Sequence, residues 1–192
     1  MKRIIKIYKD EYLEYFQDNI KNINDKDMRD LLLNLLECNR SDEKHPNINI
    51  CKEKAEQLYN EDDKKPLFIK IFSESSSNEL KYIAQYYNKI SNTNLINAIK
   101  SNFENDAYNL YLTVLYGVIN PAEYFADKIK EAIENNNLNN DYLIRTIRYR
   151  RDIDLSKILR LYKNDKELIE EIENITSGDY KNILIEIIKT CK

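Results

Sequence analysis

The chain has 192 residues, with 30 Lys and Arg against 33 Asp and Glu, a net charge of −3 and 42% hydrophobic residues. That is enough for one compact unit or two small ones with a shared core, and the periodic clustering of its aliphatics argues against disorder. The single histidine, His45, excludes any site that needs two imidazoles, and the only glycines, Gly117 and Gly178, leave no Walker loop or GxGxxG.

Cys38, Cys51 and Cys191 are too far apart for a CxxC zinc site or a redox pair, and their unpaired spacing suggests a reducing compartment. The longest nearly apolar run, Leu110 to Ile119, is about half the length that a spanning helix needs. The start, MKRIIKIYKDEY, is basic and then charged again, unlike a secretory signal. No Ser/His/Asp or Cys/His constellation can be assembled, so no enzymatic activity is expected.

In chain order, the first periodic segment is marked by Tyr8, Phe16 and Ile20, then by Asp27 followed by Met28, Leu31, Leu32, Leu35 and Leu36 on one helical face. A polar stretch from Asn39 to Asn49, containing Pro46, predicts a linker. Five helices are predicted next. They are marked by Ala55 and Leu58; Phe68, Ile69 and Phe72; Leu80, Ile83 and Tyr87; Leu95 and Ile99; and Asp106 with Ala107, Leu110, Tyr111, Val114 and Leu115. Beyond Pro121 the same order returns: Ala126 and Ile129; Leu143, Ile144 and Ile147; Leu155, Ile158 and Tyr162; Leu168 and Ile172; and Asp179 with Tyr180, Ile183, Leu184, Ile187 and Ile188.

Indexed from Ile20, Ile99 and Ile172, the last helices of the three copies carry aspartate at one offset, in the first turn, where a carboxylate meets free N–H groups. Asn24 to Asp27 and Thr176 to Asp179 predict capping boxes at two of these starts. The repeat interval is too long for tetratricopeptide or ankyrin units. The pattern therefore predicts an all-α chain: residues 1–40 a partial repeat of three helices, 41–50 a linker, 51–119 a full repeat of five short helices, and 120–192 a second full repeat.

Tyr124 to Ile129 (YFADKI), Leu143 to Leu155 (LIRTIRYRRDIDL) and Thr176 to Leu184 (TSGDYKNIL) together resemble the annexin family, most closely its fourth repeat. Leu31 to Arg40 (LLLNLLECNR) looks like the end of an annexin second repeat. The resemblance implies a right-handed superhelix of five-helix repeats, truncated by the first repeat and half of the second. It also implies cytoplasmic, peripheral binding to anionic phospholipid surfaces bridged by calcium. In the family, calcium is held by backbone carbonyls of a glycine-rich loop between the first two helices of a repeat and by an acidic residue far downstream. Calcium takes 6 to 8 oxygens, and glycines let carbonyls converge.

The loop equivalents here are Ile133, Asn135 and Asn137, with asparagine at both glycine positions. The downstream position is Ile175, matched by Asn102 and Ile23 in the other copies, and none of these supplies a carboxylate. Calcium is thus the cofactor that the resemblance implies, yet the family's ligands are not retained, and calcium-dependent phospholipid binding is expected to be weakened or lost.

Two further clusters are candidates. Glu61, Asp62 and Asp63, in the shorter loop of the first full repeat, gather hard oxygens that could hold a divalent ion or simply form a solvated loop. Arginine is concentrated at Arg145, Arg148, Arg150, Arg151 and Arg160, with Lys157 and Lys163 nearby. Arg148, Arg151 and Lys157 are the expected contacts to anionic headgroups, since guanidinium binds phosphate bidentately. Arg145 and Arg150 stand where the family has arginine, and pairing with Asp152 or Asp154 is expected for some of these groups. Nucleic acid is not expected as a partner. The alternative function is a helical protein–protein scaffold, self-associating or binding a partner through Ile4, Ile5 and Ile7 of the partial repeat.

Overall fold

The computed structural model describes residues 2–133, 138–162 and 165–191, which form helices and their connections with no strand among them. In chain order these are α1 (Lys2–Tyr12), α2 (Phe16–Lys21), α3 (Lys26–Leu36), α4 (Ile48–Asn60), α5 (Lys65–Glu74), α6 (Ser77–Ile90) and α7 (Leu95–Asn102). They continue with α8 (Asn105–Ile119), α9 (Pro121–Ile133), α10 (Asn140–Arg150), α11 (Leu155–Tyr162), α12 (Asp165–Ile175) and α13 (Gly178–Thr190). They divide into two compact units, Met1–Ile119 and Asn120–Lys192.

The first unit holds α1 to α8. Leu31 of α3 is buried in the same core as α4 to α8, so the partial repeat and the first full repeat share one hydrophobic interior. Its centre is aromatic. Tyr111 stacks on Phe103 at 4.0 Å between centroids and meets Phe72 edge-on at 5.0 Å, while Phe68 meets Phe103 edge-on at 5.3 Å. Edge-to-face and offset pairs suit the ring quadrupoles, and burying rings of this size dominates the energetics of a small core.

Helix starts are set by short polar side chains. Asn47 accepts from the N–H groups of Asn49 (3.0 Å) and Ile50 (3.4 Å), so α4 begins at Ile48, inside the stretch expected as linker. Ser76 and Glu79 form a reciprocal capping box at α6. At α3 the cap is Asp25 rather than the expected Asn24: its Oδ1 accepts from Met28 N–H at 3.0 Å. Its Oδ2 accepts from Ala107 N–H of α8 at 3.2 Å, so one carboxylate caps two helices. Asp27, freed from capping, pairs with Lys65 of α5 at 2.6 Å.

The second unit holds α9 to α13 around an aliphatic core that includes Ala126, Ile129, Leu143, Ile147, Leu155, Ile158, Leu168, Ile172, Leu184 and Ile188. Here too the expected capping box does not form. Thr176 Oγ1 donates back to Ile172 O at 2.6 Å, and the N-cap of α13 is Ser177, with no side-chain cap bond. Gly178 then turns the chain with a φ of 63°, a left-handed conformation that glycine adopts freely.

The periodic faces are buried as expected at most positions, with two departures. Ile183 is 59% exposed and Ile144 is also exposed. In the first unit the residue at the offset of Ile183, Leu31, is buried where α3 packs on α5 and α8. Within the second unit α13 packs on α10 and α12, which leaves the Ile183 side uncovered.

Loss of a cap costs about 0.5–2 kcal/mol. Asp25→Ala, which removes two, is expected to lower unfolding free energy by about 2 kcal/mol in urea titration, with Asp25→Asn intermediate. A change confined to a few tenths of a kcal/mol would contradict the double-cap assignment.

Candidate functional site

Within the second unit, α10 and α13 run in the same direction. At their starts the Asp141 charge acts on the Tyr180 phenol, and at their ends Arg151 Nη2 donates to Thr190 Oγ1 at 3.2 Å. This gives the unit a loop end, with Ile133, Leu138, Asn139 and Ile175, and a turn end, from Arg148 to Lys157. Eleven residues of helix separate the two ends by about 16 Å.

At the loop end, Ile133 closes α9 and packs half-buried against the core. Asn135 and Asn137 lie outside the described residues. Asn139 caps α10, accepting from Tyr142 N–H at 3.0 Å, and donates its own N–H to Ala132 O at 3.0 Å. Burial, together with neighbouring Tyr124, pushes the Tyr142 phenol up to about 12. Burial and the Asp141 charge raise that of Tyr180. Both rings are neutral near pH 7.

The downstream position offers no anionic oxygen. Ile175 is a partly exposed alkyl group, Asn102 donates its amide to Ala98 O at 2.8 Å, and the carbonyl of Ile23 accepts from Arg29 at 2.9 Å. Glu61, Asp62 and Asp63 are exposed, and among the described residues no group of three His, Cys, Asp or Glu side chains is placed to hold a metal. The described residues therefore do not fit the calcium site that the resemblance implies.

The turn end is built around one ion pair. Arg150 donates to Asp154 through Nε (2.7 Å) and Nη2 (2.6 Å), with the two side chains 18% and 19% exposed. Its guanidinium lies over the Phe125 ring, 4.4 Å from the centroid. The carbonyl of Arg150 accepts from Ile153 and Asp154 N–H groups at 3.0 Å, and that of Asp154 accepts from Lys157 and Ile158, so the turn leads directly into α11. The expected pairing thus holds for Arg150. Arg145 is instead exposed and has no ion-pair partner among the described residues.

With Arg150 directed inward, its neighbours face solvent. Arg148, Arg151 and Lys157 are exposed, and Arg148 meets Asp152 only at 3.7 Å, a pair too exposed to contribute much. Between them Tyr149 is 71% and Ile153 67% exposed. Ile153 escaped the sequence reading because it follows the end of α10, where helical periodicity no longer assigns a face.

A family model described as Annexin matches residues 124–187. Annexin A8 of Bos taurus is 29% identical over 196 residues, covering 98% of this chain and 60% of its own length. The chain therefore spans about 60% of that curated relative. Among solved structures, annexin III superposes with a TM-score of 0.89 at 25% identity, over 100% of this chain and 62% of the other. A calcium-bound annexin (Sm)1 gives 0.83 at 20% identity over 100% and 58%, a likeness of fold.

Lysine keeps the charge of Arg150 but not the two-pronged contact or the planar stacking. Arg150→Lys is expected to cost about 1–2 kcal/mol, read as a lower Tm by calorimetry. An unchanged Tm would mean that the pair does not hold the turn.

Proposed function

We propose that this chain, which is similar to annexins in sequence and fold, is a cytoplasmic, peripheral phospholipid-binding protein of that family whose calcium dependence is weakened or lost. The observation that carries this reading is the turn end of the second unit, where Arg148, Arg151 and Lys157 are exposed together with Tyr149 and Ile153. Each basic side chain near an anionic leaflet contributes about 1 kcal/mol. A tyrosine ring suits the headgroup layer, and an inserted isoleucine adds about 2 kcal/mol of apolar burial.

Ile133, the one loop equivalent among the described residues, belongs to the opposite end of α10, so a flat bilayer resting on one end does not reach the other. We assign the anionic headgroup contacts to the turn end. Weakened calcium dependence is supported by the lack of fit at Ile23, Asn102 and Ile175. No catalytic role is proposed, and no helix among the described residues is long and apolar enough to cross a membrane.

The test is co-sedimentation with phosphatidylserine vesicles against neutral ones, in millimolar calcium and in chelator, at low and high salt. The expected result is salt-sensitive binding to the anionic vesicles that calcium changes little. Arg148→Glu with Arg151→Glu should weaken it by about tenfold or more. Binding only in calcium would move the contact to the loop end, and no binding in any condition would remove lipid as the partner.

A second reading, self-association or a protein partner through α1, is favoured by one observation. Ile4 occupies the repeat position at which Ile83 and Ile158 are fully buried on helices packed under α4 and α9, yet it is 62% exposed, with Ile7 exposed beside it. Sedimentation velocity should then show a concentration-dependent dimer that Ile5→Asp disrupts. A monomer at every concentration, and no captured partner, would set this reading aside.

A further inference from the structure

The connection between α4 and α5 is four residues long and holds an unusual cluster of oxygen contacts. Lys64 Nζ donates to the carbonyls of Leu58 (2.9 Å), Tyr59 (2.7 Å) and Glu61 (2.6 Å). An ammonium has three N–H donors, and here each meets a carbonyl oxygen. Leu58 and Tyr59 lie in the last turn of α4, where carbonyls lack helical partners and the backbone dipoles sum to a partial negative charge. Glu61 N–H closes the final helical turn on Gln57 O at 2.9 Å, which leaves its own carbonyl turned toward the same point. A set of converging backbone oxygens at the negative end of a helix is what a hard cation seeks.

We propose that this connection is a cation site whose resident cation is the protein's own Lys64 ammonium. The same device recurs on a smaller scale in the first unit. Arg40 Nη2 donates to Phe72 O at 2.5 Å near the end of α5, and Arg29 Nη1 donates to Ile23 O at 2.9 Å beyond α2. Lys64 differs in bringing three carbonyls onto one charge. The side-chain carboxylates of Glu61, Asp62 and Asp63 are exposed and contribute negative potential without acting as ligands. An external divalent ion reaches these carbonyls only by displacing Lys64, so the connection ignores millimolar calcium until that side chain is neutralised. The inference goes beyond the lipid reading and is tested in solution without vesicles.

On the wild-type chain, limited acylation with acetic anhydride, followed by peptide mass spectrometry, reads the reactivity of each lysine. Lys64 should react at least about tenfold more slowly than exposed Lys157, a factor corresponding to about 1.4 kcal/mol, and at the same rate with and without millimolar calcium. Lys64→Met, checked for helix content by circular dichroism, should gain saturable, tyrosine-sensitised terbium luminescence over wild type, with Tyr59 as the adjacent donor. Equal reactivity of Lys64 and Lys157, or release of Lys64 by calcium, would overturn the proposal. So would a folded Lys64→Met chain with no gain in terbium binding. If that variant does not fold, the acylation rates decide.

Discussion

The constraint that governs this molecule is the number of helix ends it must finish. The described residues form thirteen helices, none longer than the 15 residues of α8, and each leaves four N–H groups and four carbonyls without helical partners. Helices this short are marginal alone, so their ends must be satisfied by side chains as well as by packing. At the N-termini this falls to Asp25, Asn47, Ser76, Asn94 and Asn139, each accepting from a backbone N–H two or three residues on. At the C-terminal side cations take the same part, with Arg29, Arg40 and Lys64 donating to carbonyls. A sequence rich in asparagine and charge, with two glycines, is thereby explained: it caps with side chains where other chains would end helices on glycine.

The two units meet the packing requirement differently. The first fills its centre with Phe68, Phe72, Phe103 and Tyr111, whose rings lock one another at fixed angles. The second relies on Ala122, Ala126 and Ala132 of α9, whose small side chains let α11 approach closely, with leucine and isoleucine filling the remainder. Its polar anchor is peripheral: Arg150 lies between Asp154 and the Phe125 ring. Because that guanidinium satisfies the turn from inside, the residues on either side are free of structural duty and can carry surface chemistry.

Much of the architecture was legible because burial on short helices leaves a strict 3.6-residue imprint. Tyr111 and Leu184 stand at one repeat position, and both are buried. The likeness of the sequence to annexin repeats agreed with the observed fold. The helix starts were less legible. Asp25 displaced Asn24, and Thr176 turned back on Ile172, because a cap is chosen by backbone direction at the turn and several adjacent residues have suitable oxygens. Lys64 gave no signal beyond its charge, since contact with three carbonyls depends on the path of a four-residue connection. Ile183 and Ile144 had the right spacing, but spacing does not reveal which face lacks a neighbour. For the candidate site, the residue types at Arg148, Arg151 and Lys157 could be read directly. That they lie at the other end of α10 from Ile133 follows from the length of α10 and from the Asn139 N–H bond to Ala132 O that ties the end of α9 to its start.

A chain with net charge −3 can still present a basic surface, because screening makes electrostatics local. At physiological salt the Debye length is about 8 Å, roughly half the length of α10, so acidic groups at the loop end barely affect the potential at the turn end. At the turn itself, Asp154 is committed to Arg150 and Asp152 meets Arg148 only at 3.7 Å. Arg151 and Lys157 are left uncompensated there, with Arg145 nearly two turns back on α10 and Arg160 one turn on along α11. The sign of that surface is therefore set by how the Arg150 guanidinium is held and by which carboxylate it occupies. An interior ion pair thus determines the exterior charge.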